Sequence, residues 1–566
     1  MQGGRGASGR APPHSKTCRL PWAFCGAKRL GVRLPSAALV LRCRPRSDIR
    51  RFPTLASLPL LRHTLCMPTR RSFLKTAAAT GTAIGLGDLS FLGSLPRVSA
   101  AETKLPGGLV PLESDIEPLV RLLEQTPRDK LLEEIASRIH RGLTYREVLA
   151  ALMLAGVRNI QPRPVGFKFH AVLVVNSAHL ASQSSPDSDR WLPIFWALDY
   201  FKSAQAQNVR EGDWHMRQVN ESQVPASHKA KAAFVEAMDN WDEAAADTAV
   251  TGLARTTGAL EAFEIVCRYG ARDFREIGHK AIYVANSWRT LQAIGWRYAE
   301  PVLRSLAYGL LDHDGGNPAK GDAEADRPFR KNQELVTKIR ADWQDGKPDG
   351  AATLDVLQTL RTASHEEASA KVVALLNHSA AAKSVWDGIF ASAAELLARR
   401  PGLVSLHALT STNALHFAYQ TSGNDETRRL LLLQNAAFLT LFRGDPKAIK
   451  ELDLDKLESD GEKESAPSLD DIFATLSRDR LGAARKVLAW SKKQADPNDF
   501  INAARRLVFL KGSNSHDYKF SSAVLEDCRN LSPAWRARFL AASVFNLKGS
   551  GDKDNDLVKR TRAALA

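Results

Sequence analysis

Leu406-His407-Ala408-Leu409-Thr410-Ser411-Thr412-Asn413-Ala414-Leu415-His416-Phe417-Ala418 is an apolar-rich run with no glycine, proline or charged residue. It belongs to the segment 403–420, which reads as a helix rather than a strand because its apolar residues do not alternate with period two. A second stretch, Gly166-Phe167-Lys168-Phe169-His170-Ala171-Val172-Leu173-Val174-Val175-Asn176-Ser177-Ala178-His179-Leu180-Ala181, shares with it the pattern His-Ala-x4-Asn-x2-His-x-Ala. Alternation is strand-like only at 171–175, inside that second stretch. A third stretch, Gly278-His279-Lys280-Ala281-Ile282-Tyr283-Val284-Ala285-Asn286-Ser287-Trp288-Arg289, aligns through Asn286-Ser287 with Asn176-Ser177. That alignment puts Lys280 in the place of His170 and His407, so one helix recurs three times with Lys replacing His in the middle copy.

Around these stretches nearly every periodic segment is helical. Thr144-Tyr145-Arg146-Glu147 is a capping box ahead of the apolar run Val148 to Val157. Helical segments then follow to the C-terminal region, among them 278–312, 330–344, 354–377 and 518–546. Two polar, breaker-rich stretches, 314–328 and 453–467, read as loops within one body, although either could bound a domain. The expected fold is all-α, a large multi-helix bundle over residues 101–566 with internally related histidine-bearing helices.

The N-terminal region has a different character. Residues 67–100 read as a twin-arginine signal peptide: Arg70 and Arg71, then Phe73-Leu74-Lys75, a weakly apolar Ala- and Gly-rich segment, and Val98-Ser99-Ala100 as a cut site. Such signals begin a protein, so translation is expected to start at Met67, making residues 1–66 a non-native leader. A basic arm for nucleic acid is the alternative reading of that leader. Leader and signal together carry seventeen Lys and Arg against Asp48 and Asp88, so +15 of the formal +16 lies there and the remaining chain is near +1. The overall basicity therefore does not indicate nucleic acid or anionic lipid as a partner. Expected partners are the twin-arginine export machinery and a small-molecule substrate, with a periplasmic or secreted location. After signal cleavage no stable membrane span is expected. Only Cys267 and Cys528 remain beyond the signal, too few for a disulfide scaffold or a zinc cluster.

The chemistry falls on the histidines. Positions nine apart on a helix are rotated by roughly 180° and separated by about 13–14 Å. His170 and His179 therefore cannot bind one metal, and neither can His407 and His416; convergence must come from different helices. Asn176 and Asn413 lie three residues before His179 and His416, placed to orient those rings. In His516-Asp517-Tyr518-Lys519-Phe520, His516 and Lys519 share a face if a helix begins near Asn514 or Ser515. Imidazole clusters suit iron, zinc, copper or nickel.

At these residues the chain resembles the questin oxidase-like family, through Phe169-His170-Ala171, Gly278-His279-Lys280-Ala281-Ile282, Leu406-His407-Ala408-Leu409-Thr410 and His516-Asp517-Tyr518-Lys519-Phe520. The resemblance spans about residues 140–545 and crosses both polar stretches, which supports a single body. It implies a helical protein that oxidises aromatic polyketides with dioxygen at a histidine-rich iron centre. The chain departs from that family in its export signal and in its doubled His-x8-His helices.

The expectation is an exported metal-dependent oxidoreductase, iron favoured, with His170, His279, His407 and His516 as ligands from four helices. Lys280 is a carboxylated ligand, a counter-charge or a neighbour pointing away. Tyr283, one turn beyond His279, is expected to face the same cavity and move protons. The competing expectation is a non-enzymatic helical repeat protein that binds a partner, its histidines merely packed. Against it, the related helices recur every 110–130 residues, where solenoid periods run to about 20–50.

Overall fold

The computed structural model describes residues 108–312, 317, 321–443, 452–459, 466–494 and 496–566. The expected leader and twin-arginine signal lie outside the described residues. Gly108–Ala566 belongs to one compact unit. Among the described residues the chain is all-helical, with two isolated bridges, Leu109–Arg217 and Lys347–Ala380, and no strand. No helix of the described residues is long and apolar enough to cross a membrane. Cys267 and Cys528 are both free and buried.

Local chemistry sets the helix ends. The Thr144 hydroxyl accepts from the Glu147 amide while the Glu147 carboxylate takes the Thr144 amide, completing the box that opens Tyr145–Asn159. Every residue of that helix from Val148 onward is buried, as a helix apolar on all sides must be. Its one interior cation, Arg158, is fully buried and forms paired hydrogen bonds with Glu117 and Glu124. Segments that read as continuous are broken by backbone chemistry. The segment 278–312 becomes His279–Ile294 and Ala299–Leu310, separated at Gly295 with φ +116°. The segment 518–546 becomes Ser515–Asn530 and Pro533–Ser543, parted at Pro533, a residue that cannot sit inside a helix without losing a hydrogen bond. The polar stretch 314–328 is cut short by a helix that already begins at Arg327, with Pro328 in its first turn.

The strand-like stretch 171–175 is helical. It forms α1 (His170–Leu173) and α2 (Val175–Gln183), interrupted at Val174, whose φ −83° and ψ −13° depart from regular helix. Together with α3 (His279–Ile294), α4 (Leu403–Thr421) and α5 (Ser515–Asn530) they make the centre of the fold. α2 packs on α3, α3 on α4, α4 on α5, and α5 back on α2, closing a ring of four. All four run the same way, because their contacts match level by level. His170, His279 and His407 meet at the top, Asn176 meets Asn286 below them, and Arg289 meets Asn413 and Glu526 lower still. The helices Tyr145–Asn159, Leu192–Arg210, Ala382–Arg399 and Asp425–Phe442 pack around this ring, which is why it bears polar residues yet is buried on nearly every side.

Candidate functional site

The four histidines lie at or near the N-termini of the ring helices, so their imidazoles gather at one end of it. His170 begins α1 after a tight turn in which Gly166 has φ +154° and Phe167 φ +46°; the Phe167 carbonyl accepts from its Nδ1 at 2.8 Å. His279 begins α3 after three successive left-handed residues, Glu276, Ile277 and Gly278, and its Nδ1 donates to the Glu276 carbonyl at 2.5 Å. His407 donates from Nδ1 to the Leu403 carbonyl at 2.6 Å, one turn earlier on α4. His516 follows Asn514, whose side chain caps α5 by accepting from the His516 and Asp517 amides, with Asp517 closing a capping box.

A carbonyl can only accept, so Nδ1 carries the proton in His170, His279 and His407, and each Nε2 presents a lone pair. The three lone pairs face one another. The Nε2 of His279 lies 3.0 Å from that of His170 and 2.9 Å from that of His407. His516 flanks them, its ring centroid 4.7 Å from that of His170 and 5.2 Å from that of His407. The donor atoms of His170, His407 and His516 all fall within 4.8 Å of one another, a group able to hold a metal ion.

Lys519 completes the cluster and was not among the expected site residues. Its Nζ lies 3.2 Å from the His279 Nε2 and 3.5 Å from the His407 Nε2, and the residue is only 2% exposed. The sequence signal was the His516-x-x-Lys519 spacing, which on α5 puts both side chains on the inward face. Burial pushes the Lys519 amine well below its usual range. Burial first, then the Lys519 charge, pushes His170, His279 and His407 well below 6.5 and His516 down to about 4. The helix N-termini at the same place add positive potential, so no imidazole here gains a proton easily.

The other expected site residues are placed elsewhere. Lys280, fully buried, turns its Nζ to the Asp273 carboxylate at 3.0 and 3.1 Å and to the Asp312 carbonyl at 2.7 Å. One residue past His279 is about 100° around the helix, which directs Lys280 away from the imidazoles. The Tyr283 hydroxyl donates to Ser305 Oγ at 2.6 Å and its ring packs edge-on against Phe169, so its proton is committed to a structural bond. Asn176 bonds to Asn286 at 3.4 Å, while His179 meets the Tyr145 hydroxyl at 3.0 Å. Asn413 accepts from Arg289 and donates to Glu526 and Asp527, and His416 sits among Trp386, Phe390 and Tyr419. Neither asparagine orients the histidine three residues on; backbone carbonyls do that work for the clustered rings instead.

The donor set of His170, His407 and His516 is one that could hold a metal ion. Two acceptors as close as the His279 and His407 Nε2 atoms repel unless a donor lies beside them, and in the structure the Lys519 amine is that donor. No protein-family model, curated protein or solved structure matches the chain.

Proposed function

We propose that His170, His279, His407 and His516 hold one metal ion, iron favoured, in an exported oxidoreductase acting on a small organic substrate. The observation that carries this reading is the approach of the His279 Nε2 to those of His170 and His407, at 3.0 and 2.9 Å, with each of the three rings fixed by a backbone carbonyl on its other nitrogen. Carbonyls on Nδ1 set both tautomer and ring direction, the usual way a protein prepares imidazole ligands. Imidazole donors suit iron, zinc, copper or nickel, and the family resemblance is what favours iron. Neutral imidazoles leave the charge of a divalent ion uncompensated, which suits binding of an anion or of dioxygen beside it. The resemblance to the questin oxidase-like family points the same way. Export by the twin-arginine route, which carries folded chains, would let the ion be installed before export.

The reading as a repeat-type binding protein is less well supported. Solenoid units touch only their sequence neighbours, whereas α2, α3, α4 and α5 surround one common axis.

Elemental analysis of purified protein, before and after anaerobic reconstitution with ferrous iron, tests the proposal. About one metal per chain is expected, lost in His407→Ala; less than about 0.2 per chain after reconstitution would overturn it.

A further inference from the structure

The four imidazoles are not held alike. His170, His279 and His407 are 6%, 5% and 1% exposed, and each ring is pinned by a backbone carbonyl on its Nδ1. His516 is half-buried in the first turn of α5, two residues after the exposed Asn514. Its backbone amide donates to the Asn514 side chain, but among the described residues no hydrogen bond holds either nitrogen of its ring. What the ring touches is two other imidazoles, edge-on, with centroids 4.7 Å away at His170 and 5.2 Å away at His407.

The difference decides what each ring can do. A ring whose Nδ1 donates to a carbonyl offers only Nε2, and in one direction. A ring held by edge contacts alone can turn either nitrogen inward or swing outward, because the second side-chain torsion of histidine is broad. The way out is short. Phe167 and Leu403, whose carbonyls pin His170 and His407, are themselves 66% and 57% exposed, so this end of the helix ring lies close under the surface.

We propose that His516 is the exchangeable ligand of the centre. His170, His279 and His407 retain the ion, and the His516 imidazole swings toward solvent to free a position for an incoming small donor. The exchange breaks one metal–nitrogen bond and forms one bond to the donor; no proton or electron moves. The proposal rests on the metal-site reading for the presence of the ion, whereas the unequal restraint on the four rings belongs to the metal-free chain as well.

Two measurements test it. In metal-free protein carrying isotope-labelled histidine, NMR should show slowly exchanging, Nδ1-protonated rings for His170, His279 and His407 and a rapidly exchanging ring proton for His516, assigned with His516→Ala. A His516 ring as protected as the others overturns the proposal. In protein loaded with iron and oxidised in air, azide is titrated through its charge-transfer absorption, and metal content is measured on the same samples. His516→Ala should keep about one iron per chain, where His407→Ala loses it. A minor open state is typically about 10% of the population or less, so azide should bind His516→Ala about ten-fold or more tightly than the parent. Added imidazole should reverse that gain by taking the vacated place. Iron lost from His516→Ala as completely as from His407→Ala, or unchanged azide affinity, overturns the proposal and leaves the metal reading standing. A parent protein that takes up no iron sinks the metal reading, and this proposal with it.

Discussion

Gly278→Ala probes the turn that aims His279. Gly278 has φ +80°, and a Cβ placed there would stand 2.5 Å from Ser411 Oγ and 2.9 Å from Ser411 Cβ. Ordinary carbon contacts lie near 3.5–4.0 Å, so α3 and α4 would have to part. Two costs add. A non-glycine residue in the left-handed region costs roughly 1–2 kcal/mol, and overpacking a close interhelical contact costs typically 1–3 kcal/mol. The expected loss is therefore about 2–5 kcal/mol, read from urea or thermal unfolding. Because Ser411 is one turn after His407, the same displacement separates the His279 and His407 Nε2 atoms, and metal occupancy should fall with stability. Ser411→Gly removes both clashing atoms. Measured in that background, Gly278→Ala should recover the packing share of its cost and keep the backbone share. A loss under about 1 kcal/mol, with metal content intact, would refute the idea that this glycine is required by the site. Equal losses in the two backgrounds would refute the contact with Ser411.

Stability of the metal-free protein should fall steeply in acid. His170, His279 and His407 have native pKa values below 6.5, so the unfolded chain binds protons that the native state refuses, and stability present above pH 6.5 is lost as pH drops below it. Each contributes a slope of about 1.4 kcal/mol per pH unit, and His516 adds its share between 6.5 and about 4. His407→Ala should remove one such slope from urea unfolding curves taken at descending pH; a curve indifferent to pH would count against neutral imidazoles. Lys519→Met should be more stable than the parent near neutral pH, because burial makes the native amine costlier to protonate than the unfolded one, which protonates below 10.5. That advantage should narrow as pH approaches 10.5, and an advantage independent of pH would show that packing is the cause. Lys280→Met breaks a fully buried pair with Asp273 and should cost about 3–5 kcal/mol while leaving metal content unchanged; loss of metal without loss of stability would return Lys280 to the centre.

The helical fold and the histidines that gather in it were legible because a helix writes its period into the sequence. The limit of that legibility shows at α3. Aligning Asn286 with Asn176 is meaningful, since the two side chains touch. Yet His170 stands six residues before its asparagine and His279 seven before its own. One residue is about 100° of rotation, enough to exchange His279 for Lys280. The structure absorbs the difference through the irregular Val174 between α1 and α2 and through the left-handed turn at Glu276, Ile277 and Gly278. Glycine alone in that turn announces its backbone; Glu276, Ile277 and Phe167 adopt positive φ with no residue-type signal. Those turns also supply two of the carbonyls that claim the imidazole Nδ1 atoms of His170 and His279, partners that no side-chain pattern announces. Strain held in backbone at a cluster of functional side chains is where local pattern is expected to fail. Arg289 was hidden for a different reason: one arginine on a helix looks the same whether it meets solvent or ties neighbouring helices together. Only the ring of four parallel helices, which brings Asn413, Phe417 and Glu526 to it, separates the two cases.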